Sequence, residues 1–202
     1  MSVVDVTTAT LDCMGRWEPD ARGRLERAAM ELYVEHGYES TTVAEIAERA
    51  GLTERTFFRH FADKREVLFS GSAALTDLLE RTVIEAPDSA GPMESVAGAL
   101  EAVGSLIQLR GQGAKMRQQV IVANAELRER ELIKMASWVS VLAAALRKRG
   151  VADPVATLSA ETGVAVFRVA FERWVQQPAK RHLTRTFAEM LDQLKTVTAE
   201  MR

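Results

Sequence analysis

The sequence predicts an all-α fold of about nine helices, in which a small N-terminal domain of three helices precedes a larger helical domain. Apolar residues recur at spacings of three and four along the predicted helices of the 202-residue chain. Aromatic residues make up only 6% of the chain, whereas Ala, Leu, Glu and Arg are abundant. No segment alternates apolar and polar residues as a half-buried strand does. With 47% hydrophobic residues, the chain can form a core without disulfide bonds.

The N-terminal segment is predicted to be a flexible tail followed by the first helix. Residues 1–18 show no clear hydrophobic period, so we expect them to be mobile. The first helix is predicted from Pro19 to about His36, and Gly37 ends it. The residues of its buried stripe are Leu25, Ala28, Ala29, Leu32 and Tyr33.

The next stretch, TTVAEIAERAGLTERTFFRHFADK at residues 41–64, is predicted to form two short helices joined by a tight turn. Thr42 and Glu45 have the spacing of a capping box at the start of the first helix. Ala47 and Gly51, four residues apart, supply the small residue at a helix crossing and the glycine of the turn. This pattern favours a helix-turn-helix, although a helical hairpin inside any α-domain would also produce it.

Together with EHGY at the end of the first helix and REVLF after the motif, this stretch resembles the DNA-binding domain of the TetR family of transcriptional regulators. The resemblance runs from about Arg22 to Leu68, about a quarter of the chain. It implies a DNA-binding domain at residues 19–66, whose second motif helix enters the major groove. The family usually has a tyrosine where Phe58 stands, and Phe58 lacks the hydroxyl that commonly contacts a DNA phosphate.

The residues predicted to contact DNA lie at the two helix starts and on the outward face of the second motif helix. They are Thr42, Thr53, Glu54, Arg55, Thr56, Phe58, Arg59, His60 and Lys64. The Arg55 guanidinium can bridge O6 and N7 of guanine, and Arg59 can contact a base or a phosphate. Thr42 and Thr53 are placed for phosphates at helix N-termini.

The remaining DNA candidates have competing roles. Glu54 can accept a hydrogen bond from cytosine N4 or remain solvated at the helix start. Thr56 and Lys64 match family positions near phosphates, and His60 either contacts the DNA backbone or packs internally. The net charge of the whole chain is −2, which does not favour nucleic-acid binding by itself. Basic residues nevertheless outnumber acidic ones by four to two between Gly51 and Arg65, so we expect a local, salt-dependent interaction.

Residues 67–202 are predicted to form the larger, ligand-binding and dimerisation domain. A fourth helix is expected from about Lys64 to Glu85, followed by a linker at residues 85–92. Five further helices are expected at about 93–109, 114–125, 127 or 130 to 149, 154–177 and 179–201, with the glycines of GQG at 111–113 breaking the first two apart and Asp153 capping the fourth of them.

The TetR resemblance implies that this larger domain binds a small molecule. The candidate ligand residues are Met116, Arg117, Met135, Trp138, Phe167, Phe171 and Trp174, and ordinary core packing is the competing interpretation. A buried Arg117 would favour an anionic head group, whereas a surface arginine would pair with a glutamate across a helical turn. The run ANAELRERELIKMASW weakly resembles a subgroup proposed to bind acyl-coenzyme-A-like ligands.

The last two helices are the candidates for a homodimer interface. The predicted interface residues are Leu158, Ala165, Val169, Phe187, Leu191 and Leu194, which recur at helical spacing. Two such hairpins can form a four-helix interface across a two-fold axis, and burial within one monomer is the alternative.

Several functional classes are disfavoured by what the sequence lacks. The single cysteine, Cys13, permits no intrachain disulfide and no multi-cysteine metal site. Metal-spaced histidine pairs, nucleophile elbows and phosphate-binding loops are absent from the sequence, so we expect no enzyme, no cofactor and no metal. No secretory signal and no apolar run of about 18–20 residues is found, so we expect a cytoplasmic protein without a membrane partner.

These observations predict a dimeric, ligand-responsive transcriptional regulator. We expect a repressor that binds a palindromic double-stranded DNA operator and is released by a small apolar or acyl-type effector. The alternatives are a helical protein-binding adaptor and a non-catalytic small-molecule binder that does not bind DNA.

Overall fold

Nine α-helices and no strands form the described part of the computed structural model, residues 20–178 and 181–199. The helices are α1 Ala21–Glu35, α2 Val43–Arg49, α3 Glu54–His60, α4 Lys64–Phe69, α5 Ser72–Ile84, α6 Pro92–Ala123, α7 Ala125–Lys148, α8 Val155–Gln176 and α9 Leu183–Ala199. The all-α prediction is confirmed. The predicted tail at 1–18, Cys13, and the predicted ends of the last helix at 179 and 201 lie outside the described residues.

The first three helices follow the local signals of the sequence. The Asp20 carboxylate accepts a hydrogen bond from the Gly23 amide and caps α1. Both hydrogen bonds of the capping box between Thr42 and Glu45 are present at the start of α2. Gly51 has φ +64°, a conformation that costs glycine little, and it makes the turn between α2 and α3.

A hydrophobic core joins α1, α2, α3 and α4. Leu25, Ile46 and Phe57 are fully buried in it. Val67, Leu68 and Phe69 of α4 also belong to this core, so the first core extends beyond residue 66, where the sequence places the boundary. The reason is that the apolar face of α4 packs against α1 before the chain leaves the N-terminal domain.

The predicted long fourth helix is wrong, because the structure divides it into α4 and α5. Ser70 has extended backbone angles, and Gly71 follows with φ +80°. The Ser72 hydroxyl donates back to the Phe69 carbonyl oxygen across this break. The glycine that carries the turn is visible in the sequence, but the apolar periodicity on both sides of it favoured one continuous helix.

The helix after the linker is longer than predicted. Residues 92–123 form one element, and its only non-helical backbone is at Gly111, with φ 45° and ψ −114°. The predicted break therefore exists at the first glycine of GQG, but it is a kink, after which the helix resumes at once.

The larger core is formed by α5 to α9. Leu79, Leu100, Leu142 and Trp174 are among its most deeply buried side chains. The two cores meet where the end of α6 and the start of α7 contact the N-terminal domain: Val120, Ile121 and Leu127 pack with the residues of the first core. The end of α6 and the start of α7 therefore contact the N-terminal domain directly.

Candidate DNA-binding surface and effector region

The second motif helix, α3, is anchored by one face and exposed on the other. Phe57 is fully buried, and its ring lies 5.5 Å from that of Phe61. Arg55, Phe58 and Arg59 are exposed at spacings of three and four, so they share the outward face of the helix. We call these three residues the reading row.

The reading row carries unpaired positive charge. Among the described residues, the guanidinium groups of Arg55 and Arg59 have no ion pair or hydrogen bond. Ten other arginines of the described chain form ion pairs with carboxylates, as Arg49 does with Glu35, although Arg81, Arg110, Arg128 and Arg173 do not. The cations of Arg55 and Arg59 and the exposed ring of Phe58 are better suited to binding the phosphates and apolar base edges of a nucleic acid than to simple exposure to water.

Phe58 departs from ordinary surface composition. Its side chain is 54% exposed, and its ring stands edge-on against buried Phe57, with centroids 5.5 Å apart. An apolar ring in this position can contact a thymine methyl group or a deoxyribose, but it cannot donate to a phosphate.

The threonine hydroxyl groups predicted to contact DNA form hydrogen bonds within the protein at the N-termini of α2 and α3. Thr42 Oγ1 accepts from the Glu45 amide and donates to the Glu45 carboxylate. Thr53 Oγ1 accepts from the Thr56 amide and lies 3.1 Å from the Thr56 hydroxyl. The threonines therefore orient α2 and α3 in the free protein, and Thr42 and Thr53 remain exposed at those helix starts.

The other two candidates on α3 differ in exposure. Glu54 is exposed at the first position of the helix and has no partner among the described residues. His60 is half-buried, and its buried Nε2 atom has no hydrogen-bond partner within the described part of the chain. Its ring packs beside Phe61, which favours the packed role over a contact with the DNA backbone.

The structure corrects the expectation for Lys64. Its ammonium group donates to the carbonyl oxygens of Tyr38, Glu39 and Thr41 at 2.8, 3.1 and 2.9 Å. An ammonium group has three donors, so all of them are used inside the protein. Lys64 therefore fixes the loop between α1 and α2 to the start of α4. No local pattern of residues indicates partners that lie more than 20 positions away.

Two further tethers, which the sequence did not indicate, hold the motif. Arg24 on α1 donates to the Ala50 carbonyl oxygen at 2.5 Å, directly before the turn glycine. The buried hydroxyl of Tyr33 donates to the Lys64 carbonyl oxygen at 2.6 Å. Burial raises the pKa of Tyr33, so the phenol stays protonated and remains a donor.

Four of the predicted ligand residues form one aromatic cluster in the larger core. Successive ring centroids of Trp138, Phe167, Phe171 and Trp174 are 5.9, 6.4 and 5.7 Å apart. Trp174 Nε1 donates to the Arg181 carbonyl oxygen. The Trp138 side chain is only 3% exposed, and its Nε1 atom has no acceptor among the described residues. A buried donor without a partner costs about 1–3 kcal/mol, which a ligand oxygen could recover.

Arg117 makes its contacts elsewhere. It forms a two-pronged ion pair with Glu131, and both side chains are less than one-fifth exposed. Its Nε donates to the Leu68 carbonyl oxygen on α4. Although burial opposes ionisation, Arg117 holds the pKa of Glu131 below its usual value. Arg117 is therefore already neutralised at the junction of the two domains. Met116 and Met135 are half-buried, and Met135 packs against the larger core.

None of the seven predicted ligand residues lines either of two open cavities in the described part of the chain. A cavity of about 420 Å³ lies between the end of α5 and the start of α6, beside Glu85 and Glu94. A second, of about 380 Å³, lies between α1 and α2 beside Arg24 and Arg49. The four rings of the aromatic cluster are 6% exposed or less, so a ligand entering the cluster would have to displace side chains.

The predicted dimer residues divide into two groups. Leu158, Ala165 and Val169 are exposed along one face of α8. Leu191 and Leu194 are half-buried on α9. The structure corrects the prediction for Phe187. Its side chain is only 2% exposed, and its ring centroid lies 5.5 Å from that of Phe167, because the start of α9 closes the larger core within the monomer.

Residues 20–178 and 181–199 contain neither a cluster of metal-ligating side chains nor a membrane-spanning helix. No group of three or more His, Cys, Asp or Glu side chains is placed to hold a metal ion there. None of the nine helices has the length and apolar character needed to cross a membrane.

The sequence of the chain matches two protein-family models. The family model "Bacterial regulatory proteins, tetR family" matches residues 26–70, and the model "MftR C-terminal domain" matches residues 90–199. The HTH-type transcriptional regulator TcmR of Streptomyces glaucescens is 40% identical over 82 residues, which are 41% of this chain and 36% of that protein. This chain thus spans little more than a third of TcmR.

Two matches extend over most of the chain. The putative mycofactocin biosynthesis transcriptional regulator MftR of Mycobacterium tuberculosis is 24% identical over 166 residues, which are 81% of this chain and 84% of that protein. The crystal structure of the transcriptional regulator FadR from Bacillus subtilis in complex with stearoyl-CoA superimposes with a TM-score of 0.60. It has 21% identity and covers 84% of this chain and 95% of that chain. The agreement with FadR shows a shared fold.

Proposed function

Since the chain belongs to the TetR family of bacterial regulatory proteins, we propose that it is a dimeric repressor that leaves a palindromic operator when a small apolar or acyl-type effector binds. Regulators of this family bind DNA operators and small-molecule effectors, typically as dimers. The observation that carries the proposal is the reading row, in which Arg55 and Arg59 are exposed beside Phe58 and have no neutralising partner among residues 20–178 and 181–199.

The operator contacts follow from the position of each group on α3. Arg55 lies in the first turn, the part of a recognition helix that approaches base edges, and we assign it to a guanine. Arg59 lies one turn later and contacts a base or the adjacent phosphate. Thr42, Thr53 and Thr56 stand at the two helix starts, where backbone amides and hydroxyl groups suit phosphates.

A homodimer would present two reading rows to successive major grooves. The exposed stripe of Leu158, Ala165 and Val169 supports an interface on α8, with Leu191 and Leu194 of α9 at its side. A two-fold axis through this interface requires an operator with two inverted half-sites about 34–36 Å apart. Such a protein acts where chromosomal DNA is found, in the cytoplasm.

The aromatic cluster is the proposed effector site. An apolar chain that separated the rings of Trp138 and Phe167 would replace contacts of similar character, and its carbonyl oxygen would satisfy the orphan Trp138 Nε1 donor. The likeness to a FadR protein solved with stearoyl-CoA supports an acyl chain as the occupant. No step of this function requires catalysis or a cofactor.

The effector signal would travel through the contacts between α4 and the α6–α7 corner. Arg65 of α4 pairs with Glu126, and Glu66 of α4 pairs with Arg130. Opening the aromatic cluster would move α7, and these pairs would carry α4 and the helix-turn-helix with it. The effector can shift the equilibrium only by the difference between its affinities for the two dimer states.

The test is recovery of genomic DNA fragments by purified protein, followed by footprinting and gel shifts. We expect one palindromic sequence, protected in two half-sites, and binding that weakens steeply with salt. Arg55→Ala should reduce operator affinity by about 1–3 kcal/mol and relax base preference at one position in each half-site. Arg168→Ala, which removes an exposed arginine of α8, is the matched control.

Two results would refute the proposal. One is unchanged affinity and base preference in Arg55→Ala. The other is salt-independent binding to a protein together with no binding to DNA, which would favour the adaptor alternative.

A further inference from the structure

The break between α4 and α5 lies within a cluster of four cations. The guanidinium carbons of Arg117 and Arg130 each lie 5.1 Å from the centre of the Phe69 ring, and Lys134 Nζ lies 5.8 Å from it. A Cβ atom placed on Gly71 would be 3.0 Å from a guanidinium nitrogen of Arg110. These four side chains, which we call the junction cations, come from α6 and α7 and surround the last turn of α4.

Only half of the positive charge in this cluster is neutralised. Arg117 is paired with Glu131, and Arg130 is paired with Glu66. Within the described chain, the Lys134 ammonium and the Arg110 guanidinium have no hydrogen-bond acceptor and no ion pair. The cluster therefore keeps an excess of two positive charges beside a break in the backbone.

The pKa of Lys134 is consistent with an excess of positive charge in the cluster. Burial, together with the charges of Arg117 and Arg110, lowers the pKa of Lys134 to about 8, although Glu131 acts in the opposite direction. An ammonium group that is half-buried among like charges is destabilised unless an anion joins it. An incoming anion would gain two charge-assisted hydrogen bonds and would remove this repulsion.

We propose that Lys134 and Arg110 form a binding site for a phosphoryl or pyrophosphoryl group, placed against the Phe69–Gly71 break. A group with two or more negative charges matches the two unpaired cations. The site lies at the α4–α5 break, where Lys134 is near the Phe69 ring and Arg110 is near Gly71, whereas the aromatic cluster lies in the larger core. Arg117 and Arg130 would orient the site through Phe69 while retaining their own glutamates.

Occupation of this site would act on the angle between the domains. The anion would tie Arg110, next to the Gly111 kink of α6, to Lys134 of α7, directly above the end of α4. This regulatory consequence rests on the proposed function, because it needs a DNA-binding unit attached to α4. Binding of the anion itself does not.

The direct test is calorimetric titration of the full-length protein with inorganic pyrophosphate at constant ionic strength. We expect binding that is weakened about tenfold or more in Lys134→Met and in Arg110→Gln. Lys148→Met removes an exposed α7 lysine that pairs with Glu80, and it should leave binding unchanged. Arg110 is exposed, so Arg110→Gln keeps the test valid if Lys134→Met fails to fold. NMR of labelled lysine side chains should show the pKa of Lys134 rising from about 8 when pyrophosphate is added.

Two further probes separate the possible sources of the phosphate. Stearoyl-coenzyme A carries a pyrophosphate on an acyl ligand, and stearate carries the same chain without it. If Lys134→Met weakens the binding of stearoyl-coenzyme A but not the binding of stearate, the site takes the head group of an effector. If it weakens pyrophosphate alone, the site takes a free phosphate.

The proposal is overturned if wild-type protein ignores pyrophosphate, if both variants bind it as the wild type does, or if stearate is weakened as much as stearoyl-coenzyme A. Gel shifts on the same samples keep the two proposals apart. DNA binding without pyrophosphate binding defeats only the phosphoryl site, whereas pyrophosphate binding without DNA binding defeats only the assignment as a repressor.

Discussion

The Lys64 ammonium group lies 4.5 Å from the centre of the Tyr38 ring while it donates a hydrogen bond to the Tyr38 carbonyl oxygen. One side chain thus contacts a residue 26 positions earlier through both its charge and a donor. The contact holds the α1–α2 loop against α4 and sets the position from which α2 and α3 begin.

The first prediction concerns stability of the N-terminal domain. Lys64→Met keeps the apolar stem but leaves the carbonyl oxygens of Tyr38, Glu39 and Thr41 without this donor. We expect the free energy of unfolding to fall by about 1–3 kcal/mol in urea denaturation. Lys195→Met, at an exposed α9 pair, is the control. The opposing outcome is normal stability of the variant together with a slope of its log affinity for DNA against log salt that is reduced by about one. That result would show that Lys64 contacts a phosphate.

The second prediction concerns Phe58. Phe58→Tyr adds a hydroxyl to a ring that is already exposed beside the two arginines of the reading row. We expect tighter operator binding by about 0.5–1.5 kcal/mol, because the hydroxyl can donate to a phosphate. Gel shifts at fixed salt measure this change, and Phe58→Leu should not reproduce it. Equal affinity of the tyrosine variant and the wild type would place the ring away from the DNA backbone.

The third prediction compares two glycines in helices. A Cβ atom on Gly163 would lie 2.3 Å from Val96 Cγ1 and 3.1 Å from Leu100 Cδ1, both fully buried. Gly163→Ala should destabilise the fold by about 1–3 kcal/mol, since the larger core has no room. Nothing lies within 4 Å of a Cβ atom on Gly98, so Gly98→Ala should stabilise α6 by about 0.5–1 kcal/mol. Thermal unfolding of both should show shifts of opposite sign, and shifts of the same sign would contradict this packing.

The fourth prediction is a pH dependence caused by Lys134. Its pKa is about 8 in the folded chain, and the usual value is 10.5. Between these values the unfolded chain binds more protons, so stability should rise as the pH increases from about 8 to about 10.5. The charged groups facing Lys134 are Arg117, Glu131 and Arg110. Lys134→Met should remove this rise. Near neutral pH it should be more stable than the wild type, by about 1.4 kcal/mol for each pH unit by which folding lowers the pKa of Lys134. Parallel curves for both proteins would show that the amine is solvated.

The fifth prediction concerns the proposed dimer. Val169→Glu should dissociate it, because two-fold symmetry places the new charge twice in an apolar interface, at a cost of about 2 kcal/mol or more. Sedimentation over a concentration series measures the shift toward monomer, with Val34→Glu on exposed α1 as the control. If Val169→Glu remains as dimeric as the wild type, the interface lies on another face.

The sequence alone determined the elements whose causes are local. The threonine caps of α2 and α3, the glycine turn at Gly51 and the outward position of Arg55 all depend on residues within about four positions. Hydrogen bonds of a cap and the period of a helix are completed inside that distance, so the pattern predicts them.

Only the tertiary structure determined which long charged side chains form hydrogen bonds and ion pairs within the protein. Lys64 and Arg117 both have partners distant in the sequence, whereas Lys134 lies near Arg117 and Arg110 without an ion pair among the described residues. Phe187 has the periodicity of an interface residue but fills the monomer core. Periodicity fixes the face of a helix on which a side chain lies, and the packing of helices far apart in the chain determines what that face meets.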